Sequence, residues 1–385
     1  MTSQVDFARF RDPAGATSAN PVTTAVSDDA LLRAIAEVRA AFARAHAKVA
    51  AADLVADAIG HARDLERLDL PALSAAAREA GNPAAALTHA VHQSGDRLDR
   101  GAVRDIFDSG TLLVTQRALP FLQQELRRAE CAIDRLARRE ADEGVAEVTG
   151  VRRRRLLTEA DQRLGTFIAD GLPVALGGLA EVMMNGVEAE PCGVGEPALG
   201  TYTLAGFLEF PIGDDPTPPP VRGAHTFSGY LPPPESPERD IRACLDELAA
   251  AFAAESGLAA PTPPWQPPHG LFADLTAALT VASSALYKMA DAAASGSGSG
   301  HGSGAGAGSA TTTPSARTLA VRLRRTAGDV SAVGADLLRR IATDDERSPD
   351  SWNARWRLLR DCLLLSGSAF HDGRRLADDL AWTAA

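Results

Sequence analysis

Four consecutive arginines, Arg152 to Arg155, follow Gly150 and Val151 and form the densest cluster of one chemistry in the chain. A guanidinium grips a carboxylate through two parallel hydrogen bonds, so this run could clamp a carboxylate-bearing substrate. Equally, a run of like charge is a solvated basic turn. Asp345-Glu346-Arg347 sets two acids beside a cation. Its preferred reading is a buried ion pair linking helices, because such networks form without catalysis. Several chemistries are disfavoured. Lys48 and Lys288 are the only lysines, which argues against a Schiff base. Cys131, Cys192, Cys244 and Cys362 make no CxxC pair, which argues against a zinc ribbon and suits reduced cytosolic thiols. There is no glycine-rich nucleotide fingerprint, and His301, set in a Gly/Ser run, reads as solvated rather than as a ligand.

Composition points to the elements that must carry these groups. Of 385 residues, 45% are hydrophobic but only 5% aromatic, so Ala, Leu and Val must fill the core, which favours packed helices. The net charge of −11 argues against general nucleic-acid binding, which needs clustered cations. The opening MTSQVDFARFRDPAG lacks the apolar core of a signal peptide. The longest apolar stretch, 171–184, is too short to span a bilayer and contains Glu181. A soluble, cytoplasmic chain with no membrane contact is expected.

Helical spacing organises the rest. Ser27 precedes Asp28 and Asp29 as an N-cap with acids in the first turn, and Leu31, Ile35, Val38 and Phe42 follow at helical spacing. A short helix is predicted over 71–79, stopped by Gly81-Asn82-Pro83. A longer one is predicted from Asp105 to about Glu140, with Leu122, Leu126, Ile133 and Leu136 on one face and Pro120 kinking or restarting it. Another apolar helix is expected over 159–186. The stretch 187–237 is rich in Pro and Gly; it reads as a stiff surface loop, with docking on an adaptor domain as the rival. Helix returns at about 236–256. The next helix carries Phe272, Leu275, Leu279, Leu286 and Met289 and ends in the Gly/Ser run 295–313. Two more carry Val330, Val333, Leu337 and Ile341, then Trp352, Trp356, Leu359 and Leu363.

Four stretches in this order carry a resemblance. Asp345-Glu346-Arg347 precedes Trp352-x-Ala354-x-Trp356. Phe10-Arg11-Asp12-Pro13 precedes the helix after Ser27, and AAAREAGNP occupies 75–83. Trp265 precedes a long helix ending Ala285-Leu286-Tyr287-Lys288-Met289-Ala290. Together they resemble the fumarase/aspartase superfamily, in its 3-carboxy-cis,cis-muconate cycloisomerase-like branch. The resemblance implies an all-α fold. A small helical N-terminal domain would cover 1–104 and a central helical bundle 105–385. The bundle would hold the Pro-rich insertion at about 187–237 and a mobile Gly/Ser loop at about 295–313. The smaller C-terminal domain would be missing. Four subunits would pack their bundles into one core, and neither metal nor organic cofactor would be needed.

The implied chemistry is a β-elimination or its reverse. A base takes a proton beside a carboxylate, donors hold the resulting aci-carboxylate, and an acid protonates the leaving group. Three segments from different subunits would form each site. The first resembles H-x-G-x-T-S-x-D and falls on Leu98 to Asp105; Asp105 matches, Asp108 suits the following helix, and Val103 cannot bond a carboxylate. The second resembles G-R-T-x-x-Q and falls on Gly150 to Arg155, where Gly150 matches. The third resembles G-S-S-x-M-P-x-K-R-N-P. Aligned on Pro314, it places Ala310 at the usual base, Ala316 at the Lys, Thr318 at the Asn and Arg317 at the Arg. Ser309 or Thr311 could supply a hydroxyl if the register slips by one. A further segment, rich in His, Gln and Arg, falls on Gln266-Pro267-Pro268-His269.

Two functions follow from the resemblance. One is a lyase or cycloisomerase acting on a small polycarboxylate through Arg152, Arg153, Thr311 and Arg317. The other is a catalytically inactive paralogue, serving as a structural or regulatory subunit beside an active family member. The expected assembly is a homotetramer or such a hetero-oligomer.

Overall fold

The Ser27 cap forms as expected: its Oγ accepts the Ala30 N–H at 3.1 Å. The computed structural model describes residues 21–49, 69–80, 100–143, 150–180, 237–261, 269–295, 314–343 and 349–382. Regular structure among them is helical: α1 (Pro21–Ala25), α2 (Asp28–Val49), α3 (Leu70–Ala80), α4 (Arg100–Glu143), α5 (Val151–Asp170), α6 (Pro237–Ser256), α7 (His269–Ser295), α8 (Pro314–Thr343) and α9 (Pro349–Trp382). The Asp345-Glu346-Arg347 triplet, the Gly/Ser run 296–313 and the Pro-rich stretch up to 236 lie outside the described residues.

Of the two outcomes expected at Pro120, the restart does not occur: α4 is continuous through it from Arg100 to Glu143. Proline removes one internal hydrogen bond, and here packing of the helix on both sides outweighs that loss. The helix expected over 159–186 begins earlier, at Val151, and stops at Gly171, whose φ of 71° is open to glycine without strain. Beyond it, Leu172, Val174, Ala175 and Leu176 are buried and Pro173 forms an isolated bridge with Ala259. Val174 N–H donates to Ala259 O at 2.9 Å and Ala259 N–H to Leu172 O at 2.8 Å. Pro173, two residues after Gly171, cannot continue the helix.

Packing directions follow from cross-helix pairs. Arg355 of α9 meets Asp108 of α4, His371 meets Glu125, and Asp378 meets Arg135, so α4 and α9 run parallel. Arg127 of α4 bonds Asp161 of α5 while Gln116 takes the Leu172 N–H, so α5 returns antiparallel. Ser315 of α8 donates to Asp379, and Arg322 grips Asp372, so α8 opposes α9. Arg324 pairs with Asp291, and Gly334 lies against Thr280, so α7 opposes α8. α2 packs on α4 and α6. One hydrophobic cluster runs through these helices, with Trp356, Phe252 and Phe370 among its largest fully buried side chains. Each such side chain contributes about 2–3 kcal/mol of transfer free energy. The sequence-predicted inward residues Leu122, Leu126, Ile133, Leu136, Phe272, Leu275, Leu279, Leu286 and Met289 are all buried. α7 is long and apolar enough to cross a bilayer by length and composition; here it packs against α5, α8 and α9.

Candidate functional site

The parallel and antiparallel pairings sort the candidate residues between two ends of the bundle. Arg154 of α5 lies 3.9 Å from Asp134, near the end of α4. Ser315, two residues before Arg317, bonds Asp379 near the end of α9, and Asp378 beside it pairs with Arg135 of α4. Arg152, Arg153 and Arg317 therefore share one end of the bundle. Thr311, three residues before α8, lies outside the described residues.

At this end α5 starts on Gly150, whose φ is 58°, with no side chain among the described residues capping its first N–H groups. Arg152 is exposed and Arg153 half-buried. Arg155 is held by Glu159 at 2.8 Å, one helical turn on. Arg153 lies over the open face of Gly150, and its Nη1 is buried with no hydrogen-bond partner among the described residues. Cations at a helix N-terminus oppose the positive end of the macrodipole. With Arg154 beside Asp134 and Arg155 on Glu159, the helix start with Arg152 and Arg153 makes a place where an anion relieves repulsion. Arg317 is exposed on the first turn of α8, and Ala316 beside it is fully buried. A lysine at 316 would have to bury its ammonium there.

The opposite end carries Asp105. Its Oδ1 accepts the Gly178 N–H at 2.8 Å and its Oδ2 the Leu179 N–H at 2.7 Å. Both oxygens thus cap the helical turn at 177–180. One turn further, Asp108 stands 3.9 Å from Arg355, whose Nη1 meets His269 Nε2 at 2.7 Å. Arg355, only 6% exposed, sits between Trp352 and Trp356, with Phe107 against Trp352 at 4.9 Å between ring centroids. At about 1.5 Å rise per residue, Asp105 and Glu140 stand about 50 Å apart along α4. One protomer therefore keeps the first segment far from Arg152, Arg153 and Arg317.

Sequence reading missed Arg355; the only trace of it was a charge between two tryptophans. It also missed two mid-bundle pairs. Glu125, buried, bonds Arg128 at 2.5 Å and faces His371 at 3.5 Å, and Arg322 forks onto buried Asp372. A surface groove of about 810 Å³ lies there, lined by Phe121, Arg127, Arg128, Arg135 and Arg374. Its guanidinium groups are matched by Asp161, Glu125 and Asp378, so the groove carries little surplus charge. No group of His, Cys, Asp and Glu among the described residues could hold a metal ion.

Comparison with known proteins gives a consistent picture. The sequence matches no protein-family model. It is 32% identical over 377 residues to a nitrosuccinate lyase of Streptomyces davaonensis, spanning 94% of this chain and 72% of that protein. The fold matches the 3-carboxy-cis,cis-muconate lactonizing enzyme of Pseudomonas putida with a TM-score of 0.56 at 18% identity, over 93% of this chain and 74% of that one. It matches a fumarate lyase of Mesorhizobium sp. BNC1 with a TM-score of 0.58 at 14% identity, over the same shares.

Proposed function

The chain belongs to the fumarase/aspartase superfamily, in its 3-carboxymuconate cycloisomerase-like branch, and from that premise we propose that it is a lyase acting on a small polycarboxylate, with nitrosuccinate as the first substrate to test. In that reaction a base takes a proton from the carbon beside one carboxylate. The electron pair of that C–H bond forms the new double bond, the C–N bond breaks, and nitrite leaves with its electrons. The products are fumarate and nitrite. Nitrite is a stable anion and leaves without being protonated, so the reaction does not require a general acid at the leaving group.

The observation that carries this reading is the uncapped start of α5 with Arg152 and Arg153. Their guanidinium groups, with Arg317, would hold the substrate carboxylate as negative charge builds on it. Thr311 or Ser309 would present the basic oxygen. The distance of about 50 Å along α4 means that groups from the first segment can join them only from another copy, packed head to tail.

A second reading, an inactive subunit, is favoured by two observations. Asp105 has both oxygens engaged in capping, and Ala316 is buried where the family pattern has its Lys. The deciding experiment offers the pure protein nitrosuccinate and follows nitrite and fumarate. Loss of 3-carboxy-cis,cis-muconate absorbance is measured in parallel. Turnover that disappears in Arg153→Ala and Thr311→Ala supports the lyase. A well-folded oligomer that turns over neither compound sinks it and leaves the inactive subunit. That reading in turn fails if co-expression with an active paralogue yields only homo-oligomers.

A further inference from the structure

Arg355 occupies a place that packing alone does not explain. A guanidinium in a pocket walled by Trp352, Trp356, Phe272, Leu337 and Leu359 loses its hydration and must be compensated by its neighbours. The compensation comes from two helices. Nη2 lies 3.9 Å from Asp108 Oδ1 of α4, and Nη1 lies 2.7 Å from Nε2 of His269, the first residue of α7. One side chain of α9 thereby ties together the starts of α4, α7 and α9.

Arginine has donors only. Nε2 of His269 must therefore accept, which leaves the ring neutral with its proton on Nδ1. A second proton on Nε2 would set two cations against each other at 2.7 Å. Arg355 from α9 meets His269 directly, Asp108 from α4 meets the same guanidinium through its other nitrogen, and α8 contributes Leu337 to the wall around Arg355.

We propose that Arg355 is a positioning residue: it locks His269 as a neutral Nδ1–H donor and fixes the beginning of α4, which carries Asp105, against α7. This end is where the first segment of the proposed lyase site begins, so the role in turnover rests on that reading. The tautomer lock does not.

The test uses the full chain labelled with 15N-histidine. Nitrogen NMR of the wild type should show His269 Nε2 unprotonated and unchanged between about pH 5 and 8. In Arg355→Met the same nitrogen should become protonated within that range. Arg355→Lys, which keeps the charge but loses the fork, should restore the lock only in part. Should Arg355→Met fail to fold, Arg355→Lys and Asp108→Asn carry the comparison. If the wild type turns over nitrosuccinate, Arg355→Met should lower kcat at least tenfold with KM little changed. A wild-type His269 that titrates normally would overturn the proposal, as would a folded Arg355→Met that leaves its titration unaltered. Absence of turnover with the lock intact would defeat the lyase reading alone.

Discussion

Asp105 of α4 receives the backbone N–H of Gly178 at 2.8 Å through one oxygen, while its other oxygen takes the next N–H in the chain. The residue that best matches the family's first segment is thus a buried cap joining two parts of the chain 73 residues apart. Asp105→Ala should orphan two buried donors and cost about 2–4 kcal/mol. Asp105→Asn keeps one acceptor and should cost about half. Urea unfolding midpoints of the three proteins would check the ranking, and equal midpoints would contradict it.

Gly110 is the contact point between α4 and α2. A Cβ there would lie 2.6 Å from Ile35 Cγ1 and 3.1 Å from Ile35 Cα. The second atom is backbone, so the helices themselves must separate. Gly110→Ala should destabilise by about 1–3 kcal/mol despite alanine's better helix propensity. Double substitution with Ile35→Ala removes Cγ1, the atom in closest contact, and should cost less than the sum of the single changes.

His46 of α2, stacked on Phe42, is held down to about 4 by burial, against 6.5 when unfolded. Between those values the unfolded chain binds a proton that the folded chain refuses. Stability is therefore full above about pH 6.5 and falls as the pH drops toward 4, by up to about 3 kcal/mol. Glu255, pulled below its ordinary value by hydrogen bonds from Lys48 and Arg44, acts only lower, below about pH 4.5. Unfolding midpoints at about pH 7 and 5 read this contribution. In His46→Gln the difference between them should shrink, the remainder belonging to His269 and to half-buried Asp361, whose carboxyl burial raises above its ordinary value.

Arg152→Ala and Arg153→Ala should each lower kcat/KM of the proposed lyase by about a hundredfold or more, the scale of one lost charge-stabilising donor. Thermal midpoints should move little, because Arg152 is exposed and Arg153 only half-buried. Arg317→Ala should behave alike. A parallel loss of stability and activity would assign the arginines to folding instead.

Cys362 is fully buried, and burial pushes its thiol up to about 12. Iodoacetamide at about pH 8 should alkylate exposed Cys131 and leave Cys362 intact until the chain unfolds. Peptide mass mapping before and after denaturant reads this directly.

Much of this architecture was written in local patterns. The Ser27 cap, the apolar stripe of α7 and the tryptophan spacing in α9 each act over one or two helical turns, so sequence alone determined them. The order of helices and the family resemblance belong to the same category. The break at Gly171 has a local signal, Gly171 with Pro173 two positions on, but the course of the chain over 172–176 was not legible from it. Its outcome was decided by Ala259, 88 positions beyond Gly171 in the chain, which offers the hydrogen bonds of a single bridge. Chemistry divides the same way. Four adjacent arginines announce a positive patch from the sequence. Whether Asp105 serves a substrate or two backbone N–H groups, and whether Arg355 finds His269 and Asp108, depends on which distant helices meet. Those meetings are set by side-chain packing across the bundle, which no local spacing encodes.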